Sequence, residues 1–246
     1  MTKVSIITAS HNSAQTIADT LQSVAAQKEV SVEHLIIDGA SKDETQKIVE
    51  QYAFAKWHSE PDRGIYDAMN NGIQKASGEI VGILNSDDFY ADDQVLSDVL
   101  KQFEDPSINA VYGDLDYVDH RDINKITRRW RSGQFHPNAF KMGWMPPHPT
   151  FFVRRQIYEQ YGTFNLSFQT AADYELMLRF LHKHKIQVAY IPRVLVKMRT
   201  GGLSNSSFQH RLRANQEDRR AWAINDLKVP FYTTWLKPLR KLGQWL

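Results

Sequence analysis

The sequence predicts an α/β protein with a mostly parallel central sheet flanked by helices and a helical C-terminal extension. Three observations predict it. The apolar runs VSIITAS, EHLIID and EIVGILN read as buried strands, the segments between them carry helical spacing, and polar clusters stand where the runs stop. After Asn12 and Ser13, the residues Ile17, Leu21, Val24 and Ala25 fall on one helical face. Ser41 and Glu44 have capping-box spacing and are expected to open a second helix, with Ile48, Val49 and Tyr52 turned inward. Ile65, Met69 and Ile73 mark a third helix, and Val95, Val99, Leu100 and Phe103 a fourth. Beyond Pro106 the rhythm changes. NAVYGDLDYVD and ITRRWR alternate as strands, and MGWMPPHPTFF is a proline-rich loop feeding an apolar run. AADYELMLRFLHK reads as a helix, QVAYI and VLVKM as two strands, and Ser206 to Asp226 as a long charged helix. There is no internal repeat and no low-complexity linker, so one integrated domain is expected over residues 1–226, with halves 1–105 and 106–226 and a tail 227–246.

With 246 residues and 42% apolar content the chain can bury a sizeable core. The absence of cysteine excludes disulfides and thiolate metal sites, leaving oxygen or imidazole ligands for any metal. The start, MTKVSIITASHN, is too brief for a signal peptide, and no run approaches a membrane span. A cytoplasmic location is expected, peripheral on the inner face of the membrane. Net charge is only +2, but from Arg179 onward fourteen Lys and Arg stand against three acids. In the tail Phe231, Tyr232, Trp235, Leu236, Leu239, Leu242, Trp245 and Leu246 are interleaved with Lys237, Arg240 and Lys241. Such a segment suits an anionic membrane surface, or packing on its own domain or a dimer partner. No nucleic-acid partner is expected.

In an open parallel sheet ligands bind beyond the carboxyl ends of the strands, where Thr8 to Asn12, Asp38 to Ser41 and Asn85 to Asp88 fall. In ILNSDDFYADD the neighbours Asp87 and Asp88 close an apolar run. Adjacent carboxylates repel and resist desolvation, and a divalent cation relieves both costs. No two of the twelve glycines are spaced two apart, so there is no G-x-G-x-x-G turn, nor is there a G-x-x-x-x-G-K-[ST] loop. The phosphates of a bound nucleotide would therefore need that cation.

SIITASHN, LIIDGASKDET and SGEIVGILNSDD, in this order and spacing, resemble the family 2 glycosyltransferases. These are inverting enzymes of the GT-A fold that use nucleotide-sugar donors, and the likeness covers roughly the first two thirds of the chain. It implies a GT-A, Rossmann-like fold whose first half binds the nucleotide sugar and whose second half serves the acceptor. NSDD takes the place of the family's D-x-D motif. By that resemblance Asp88 ligates the Mn²⁺ or Mg²⁺ on the donor diphosphate, and Asp87 supports the ribose or the metal shell. Thr8, Ser10 and Asp38 would hold the base and ribose, and Asp38 suits uracil because a carboxylate accepts the ring N3–H. Arg63 in SEPDRGIYDAMNNG would meet the base or diphosphate, a surface arginine being the alternative. DRGIYDAMNNGI resembles a subset that builds bacterial surface polysaccharides, which implies a saccharide or lipid-linked saccharide acceptor.

Asp173 in TAADYELMLRF is the candidate general base, at the place where the family carries an acidic pair; here an alanine precedes it. Stabilisation of a helix N-terminus is its plainer role. Glu175 is expected at the surface. His148 in PPHPTFF resembles an acceptor-side or metal-side position, against a structural role. Trp144, with Met145, is a candidate floor for the acceptor sugar, against core packing. Gly201, Gly202 and Ser204 in GGLSN resemble a loop that closes over the diphosphate, against a plain turn. Asp114 and Asp116 form a second D-x-D, expected to solvate a strand edge. The expected activity is metal-dependent inverting transfer from a UDP-sugar to a saccharide. A sugar nucleotidyltransferase would need a glycine- and arginine-rich loop where TASHNSAQT stands, and a non-catalytic membrane-associated module would have no use for Asp173.

Overall fold

A computed structural model describes residues 2–201, 208–233 and 236. β1 (Lys3–Ser10) alternates its side chains between two covered faces, so that Ile6 joins one apolar cluster and its neighbour Ile7 the other. Each such side chain, fully buried, contributes about 1.5–3 kcal/mol. β2 (Ser31–Asp38) runs parallel to β1 from Lys3↔Ser31 to Ser10↔Asp38, which sets Ser10 beside Asp38 at the carboxyl edge. β3 (Ala55–Ser59) extends the parallel sheet and puts Ser59 opposite Asp38. β4 (Ile80–Ile83) pairs on the other side of β1.

Beyond β4 the sheet is mixed. β8 (Phe152–Arg154) is antiparallel to both β4 and β6 (Ala110–Val118), and β9 (Val188–Arg199) is parallel to β6. β5 (Phe89–Tyr90) pairs antiparallel with β9, and β7 (Ile126–Trp130) with β6, giving the order β3-β2-β1-β4-β8-β6-β9-β5 with β7 beside β6. QVAYI and VLVKM are therefore one strand rather than two. Register shifts on either side of Asp114 let the ladder pass Pro192, which has no N–H to give.

α1 (Ile17–Ala25) and α4 (Val95–Gln102) cover the Ile6 face, and α3 (Ile65–Lys75) with α6 (Ala172–Met177) covers the Ile7 face. α2 (Thr45–Val49) begins later than the Ser41–Glu44 spacing suggests, because the Ser41 hydroxyl is bonded to Asp38 and Asp43 bonds the Thr45 N–H instead. Ile65 lies exposed on the first turn of α3 while Met69 and Ile73 are buried. α5 (Arg155–Tyr161) carries no sequence pattern of its own, and α6 continues as a π-helical stretch, Leu178–Lys183. α7 (Phe208–Ile224) packs on α6 and buries Trp222.

That packing corrects Glu175, which is buried and not at the surface. Its carboxylate accepts Arg179 Nε (2.9 Å) and Asn225 Nδ2 (2.9 Å) at the contact with the α7 end. Asp114 and Asp116 are likewise corrected. β6 is interior, so both are buried rather than solvating an edge, with Asp114 Oδ1 accepting Tyr190 O–H (2.8 Å) and Asp116 Oδ1 accepting Arg131 Nη1–H (3.0 Å). Past α7, Leu227 and Val229 pack on the core and Thr233 donates its hydroxyl to the Lys141 carbonyl (2.6 Å). The tail residues Trp235, Lys237, Leu239, Arg240, Lys241, Leu242, Trp245 and Leu246 lie outside the described residues. No helix among the described residues is long and apolar enough to cross a membrane.

Candidate active site

The carboxyl ends of the parallel strands meet at Asp38. Its buried carboxylate accepts the hydroxyls of Ser10 (2.9 Å), Ser59 (2.8 Å) and Ser41, and the Ser41 N–H (2.8 Å). These four donors occupy the lone-pair sites of the carboxylate, and Ser10 is one of them. Thr8 is fully buried, with its hydroxyl 2.9 Å from Nε2 of buried His34. The Asp38 scaffold presents a rim. Gly39 lies so close to Asp62 that an added Cβ would sit 2.5 Å from a carboxylate oxygen, Ala40 is left-handed (φ +56°), and His11 Nδ1 is 2.9 Å from the Gly39 carbonyl. Arg63 stands on that rim with its side chain 79% exposed, its fork held on Asp67 at 3.1 Å.

β4 leads directly to the carboxylate pair. The Leu84 N–H still bonds the Ile7 carbonyl (3.0 Å), the chain then turns with Asp88 N–H to Asn85 O (3.1 Å), and Thr20 of α1 donates to the Asp88 carbonyl (2.7 Å). Asp87 is half-buried and Asp88 fully buried, with Asn85 Nδ2 donating to Asp88 Oδ2 (2.9 Å) and Oδ1 left without a partner. Burial, then the charge of Asp87, push the Asp88 carboxyl well above the usual range. Burial raises Asp87 as well, against the pull of Arg199 and His148. Arg199, the last residue of β9, fastens the turn: it donates to the Asp87 carbonyl (2.7 Å), pairs with Asp19 of α1 and lies over the Phe89 ring at 5.1 Å. Two carboxyls resisting ionisation, one with a buried unpartnered oxygen, fit a hard divalent cation, which supplies the missing charge and the missing partner. No group of three or more His and carboxylate side chains is placed to hold a metal ion among the described residues, so the remaining ligands of such a cation would be oxygens of a bound molecule or water.

Asp173 lies in the first turn of α6, half-buried. The segment ahead of it is gripped by Glu217 of α7, whose carboxylate accepts the N–H groups of Gln169 (3.0 Å), Thr170 (2.8 Å) and Ala171 (3.0 Å) and the Thr170 hydroxyl (2.9 Å). Asp173 Oδ1 accepts the Tyr66 phenol at 3.2 Å, and Oδ2 is 3.8 Å from His148 Nδ1. Burial lowers His148 against the pull of Asp173 and Asp87, so its imidazole is neutral near pH 7. Burial and the charge of Asp173 push the Tyr66 phenol well up, so it remains a donor. His148 thus faces Asp173 and feels the charge of Asp87, on a 3₁₀ turn pinned to β6 by Thr150 Oγ1 and the Gly113 carbonyl (3.1 Å).

Trp144 does not join this group. It is buried against Tyr112 and Phe140, with its indole N–H donated to the Ser132 carbonyl (2.7 Å), and Met145 packs half-buried on the same cluster. Gly201 is described, exposed with φ +100°, whereas Gly202 and Ser204 lie outside the described residues. Tyr66, Arg199 and Glu217 belong to the site without having been singled out. Only Tyr66 sat inside a motif already noted, DRGIYDAMNNGI.

Residues 5–172 match the family described as Glycosyl transferase family 2. An uncharacterized glycosyltransferase of Mycobacterium tuberculosis (strain CDC 1551 / Oshkosh) is 32% identical over 187 residues, covering 72% of this chain and 68% of the relative. A PGL/p-HBAD biosynthesis glycosyltransferase of Mycobacterium bovis (strain BCG / Pasteur 1173P2) is 30% identical over 210 residues, covering 82% and 79%. Among solved structures, S. aureus TarS in complex with UDP-GlcNAc aligns with a TM-score of 0.72 over 95% of this chain and 69% of that one, at 17% identity. The mannosyltransferase PcManGT of Pyrobaculum calidifontis, in complex with GDP-Man and Mn²⁺, aligns at 0.68 over 98% and 74%, at 20% identity. These two are likenesses of fold, and the fold is that of GT-A glycosyltransferases. Because the family match covers more than half of the chain, from within β1 through β4 and on past the Asp87–Asp88 turn, the chain belongs to glycosyl transferase family 2.

Proposed function

We propose that this glycosyltransferase moves a sugar, with inversion, from a nucleoside-diphosphate donor to a hydroxyl of a lipid-linked saccharide, with UDP as the first carrier to test. The observation that carries this reading is Asp173. One of its oxygens is taken by Tyr66, the other receives no hydrogen bond among the described residues, and His148, 3.8 Å from that second oxygen, also feels the charge of Asp87. The acceptor hydroxyl would give its proton to Asp173 as its oxygen attacks the anomeric carbon, and the bond from that carbon to the diphosphate breaks with its electrons going to the phosphate oxygen. A neutral His148 leaves Asp173 outside any fixed ion pair. Asp88 with Asp87 would hold Mn²⁺ or Mg²⁺, whose charge neutralises the departing diphosphate. Asp38 acts as scaffold, and the base meets the rim formed by His11, Gly39, Ala40 and Asp62. The complexes of TarS with UDP-GlcNAc and of PcManGT with GDP-Man and Mn²⁺ support a nucleotide-sugar donor. A lipid-borne acceptor accords with Phe231, 86% exposed beside Tyr232, ahead of the basic and aromatic tail. A peripheral place on the inner membrane face follows from that reading.

The test is turnover of UDP-glucose, UDP-N-acetylglucosamine, GDP-mannose and dTDP-rhamnose with and without Mn²⁺, in the parent and in Asp173→Asn. The asparagine keeps the size but cannot take a proton, so turnover should fall by about two to four orders of magnitude while donor affinity holds. Nuclear magnetic resonance of the new linkage should show the inverted anomer. A retained anomer, or near-parental turnover in the variant, rejects the reading.

A further inference from the structure

The motif DRGIYDAMNNG opens α3 and has so far contributed only Arg63 on the rim. Two of its residues one helical turn apart, Tyr66 and Asn70, turn toward the acceptor half. Asn70 is buried and its amide makes a reciprocal pair with the backbone of Phe164: Nδ2–H to the carbonyl and the backbone N–H to Oδ1, both at 2.9 Å. Tyr66 stacks on the ring of that same Phe164, with centroids 5.5 Å apart. The tyrosine ring is therefore placed by Phe164 and α3, independently of Asp173, and its phenol has one proton to donate. That proton goes to Asp173 Oδ1 at 3.2 Å. Packing alone would be met equally by phenylalanine, so the hydroxyl is what needs explaining.

We propose that Tyr66 is the positioning residue for Asp173: its phenol occupies Oδ1 and fixes the carboxylate plane, so that Oδ2 is the oxygen that receives the acceptor's proton. The inference rests on the reading of Asp173 as the base. A carboxylate held by one rigid donor keeps its second oxygen aimed at one place, and a general base works only within hydrogen-bond reach of the proton it takes. Tyr66 touches the base and acts through it.

The experiment is a double-mutant cycle over the parent, Tyr66→Phe, Asp173→Asn and the double variant. Nucleoside diphosphate release is followed over long incubations with the fastest donor of the four-donor panel, and donor dissociation constants are measured by calorimetry. Tyr66→Phe should lower kcat by about 10- to 100-fold, the span expected for losing a hydrogen bond to a charged group, with donor KM and affinity within about twofold. In the Asp173→Asn background the same change should cost less than about threefold, because there is no base left to position. Losses that multiply, a Tyr66→Phe effect confined to KM, or a Tyr66→Phe enzyme equal to the parent overturn the proposal. Near-parental turnover of Asp173→Asn alone, or no turnover of any donor by the parent, overturns the prior reading of the base or of the activity instead.

Discussion

Asp88→Asn probes whether the carboxylate pair is built around a cation, and its effect on stability can be worked out from burial alone. The Asp88 carboxyl is fully enclosed, one oxygen has no partner, and the fold holds its ionisation well above the ordinary value of 3.8. The unfolded chain ionises this group freely while the fold resists it. The stability it contributes is therefore whole at low pH and drains away as pH rises from about 4 toward the folded value, by up to about 1.4 kcal/mol per pH unit. Asparagine has no such slope. Without metal the variant should be the more stable protein near neutral pH, by about 1–3 kcal/mol, or about 2–10 °C in a chain of this size. With Mn²⁺ and UDP the order should reverse, since a ligand at one thousand times its dissociation constant adds about 4.1 kcal/mol to the parent and almost nothing to the variant. Thermal unfolding at pH 5, 6.5 and 8, in EDTA and in Mn²⁺ with UDP, reads both effects. Equal pH slopes in the two proteins, or equal stabilisation of both by Mn²⁺, would refute the reasoning.

Glu217→Gln replaces two accepting oxygens by one at the point where four donors converge ahead of α6. It should cost about 1–3 kcal/mol of stability and slow turnover more than it weakens donor binding, as read by thermal unfolding and steady-state kinetics. An unchanged melting temperature and kcat would remove Glu217 from the support of Asp173. Phe231→Glu combined with Tyr232→Glu should weaken flotation with anionic vesicles while leaving donor turnover alone, and unchanged flotation would take these two residues out of the membrane reading.

β1, β2 and β4 were legible because each is a dense apolar run buried on both faces, and the polar breaks at Ser10, Asp38 and Asn85 fall where these strands stop. β3 and α5 were not legible, the one being AKWHS, which is half polar, and the other a seven-residue helix anchored by contacts from distant strands. Asp87, Asp88 and Asp173 could be named from the sequence, but their surroundings could not. Nothing local says that Asp38 is saturated by serines from three different strand ends, or that Thr8 faces a histidine on the next strand. Glu175 was misplaced, and Trp144 stood between two readings, for a related reason. One-dimensional spacing tells which side of a helix or loop a residue lies on, and only the arrival of α7 or of Ser132 tells what covers that side.

β9 also governs when the enzyme can come into being. It is made late, spanning Val188–Arg199, yet it lies between β6 and β5, and its last residue fastens the Asp87 turn. Until it emerges from the ribosome, at about 5–20 residues per second, β5 has no mate, β6 has an open flank, and the acidic turn lacks its guanidinium clasp. An open flank is a template for strands of neighbouring nascent chains, so the interval before β9 joins is when clustered translation on one message is most hazardous. For the same reason prematurely terminated products would be silent toward the donor rather than partly active. A circular permutant opened at the exposed β6–β7 turn, where β9 is synthesised before the Asp87 segment, would reverse the order of arrival.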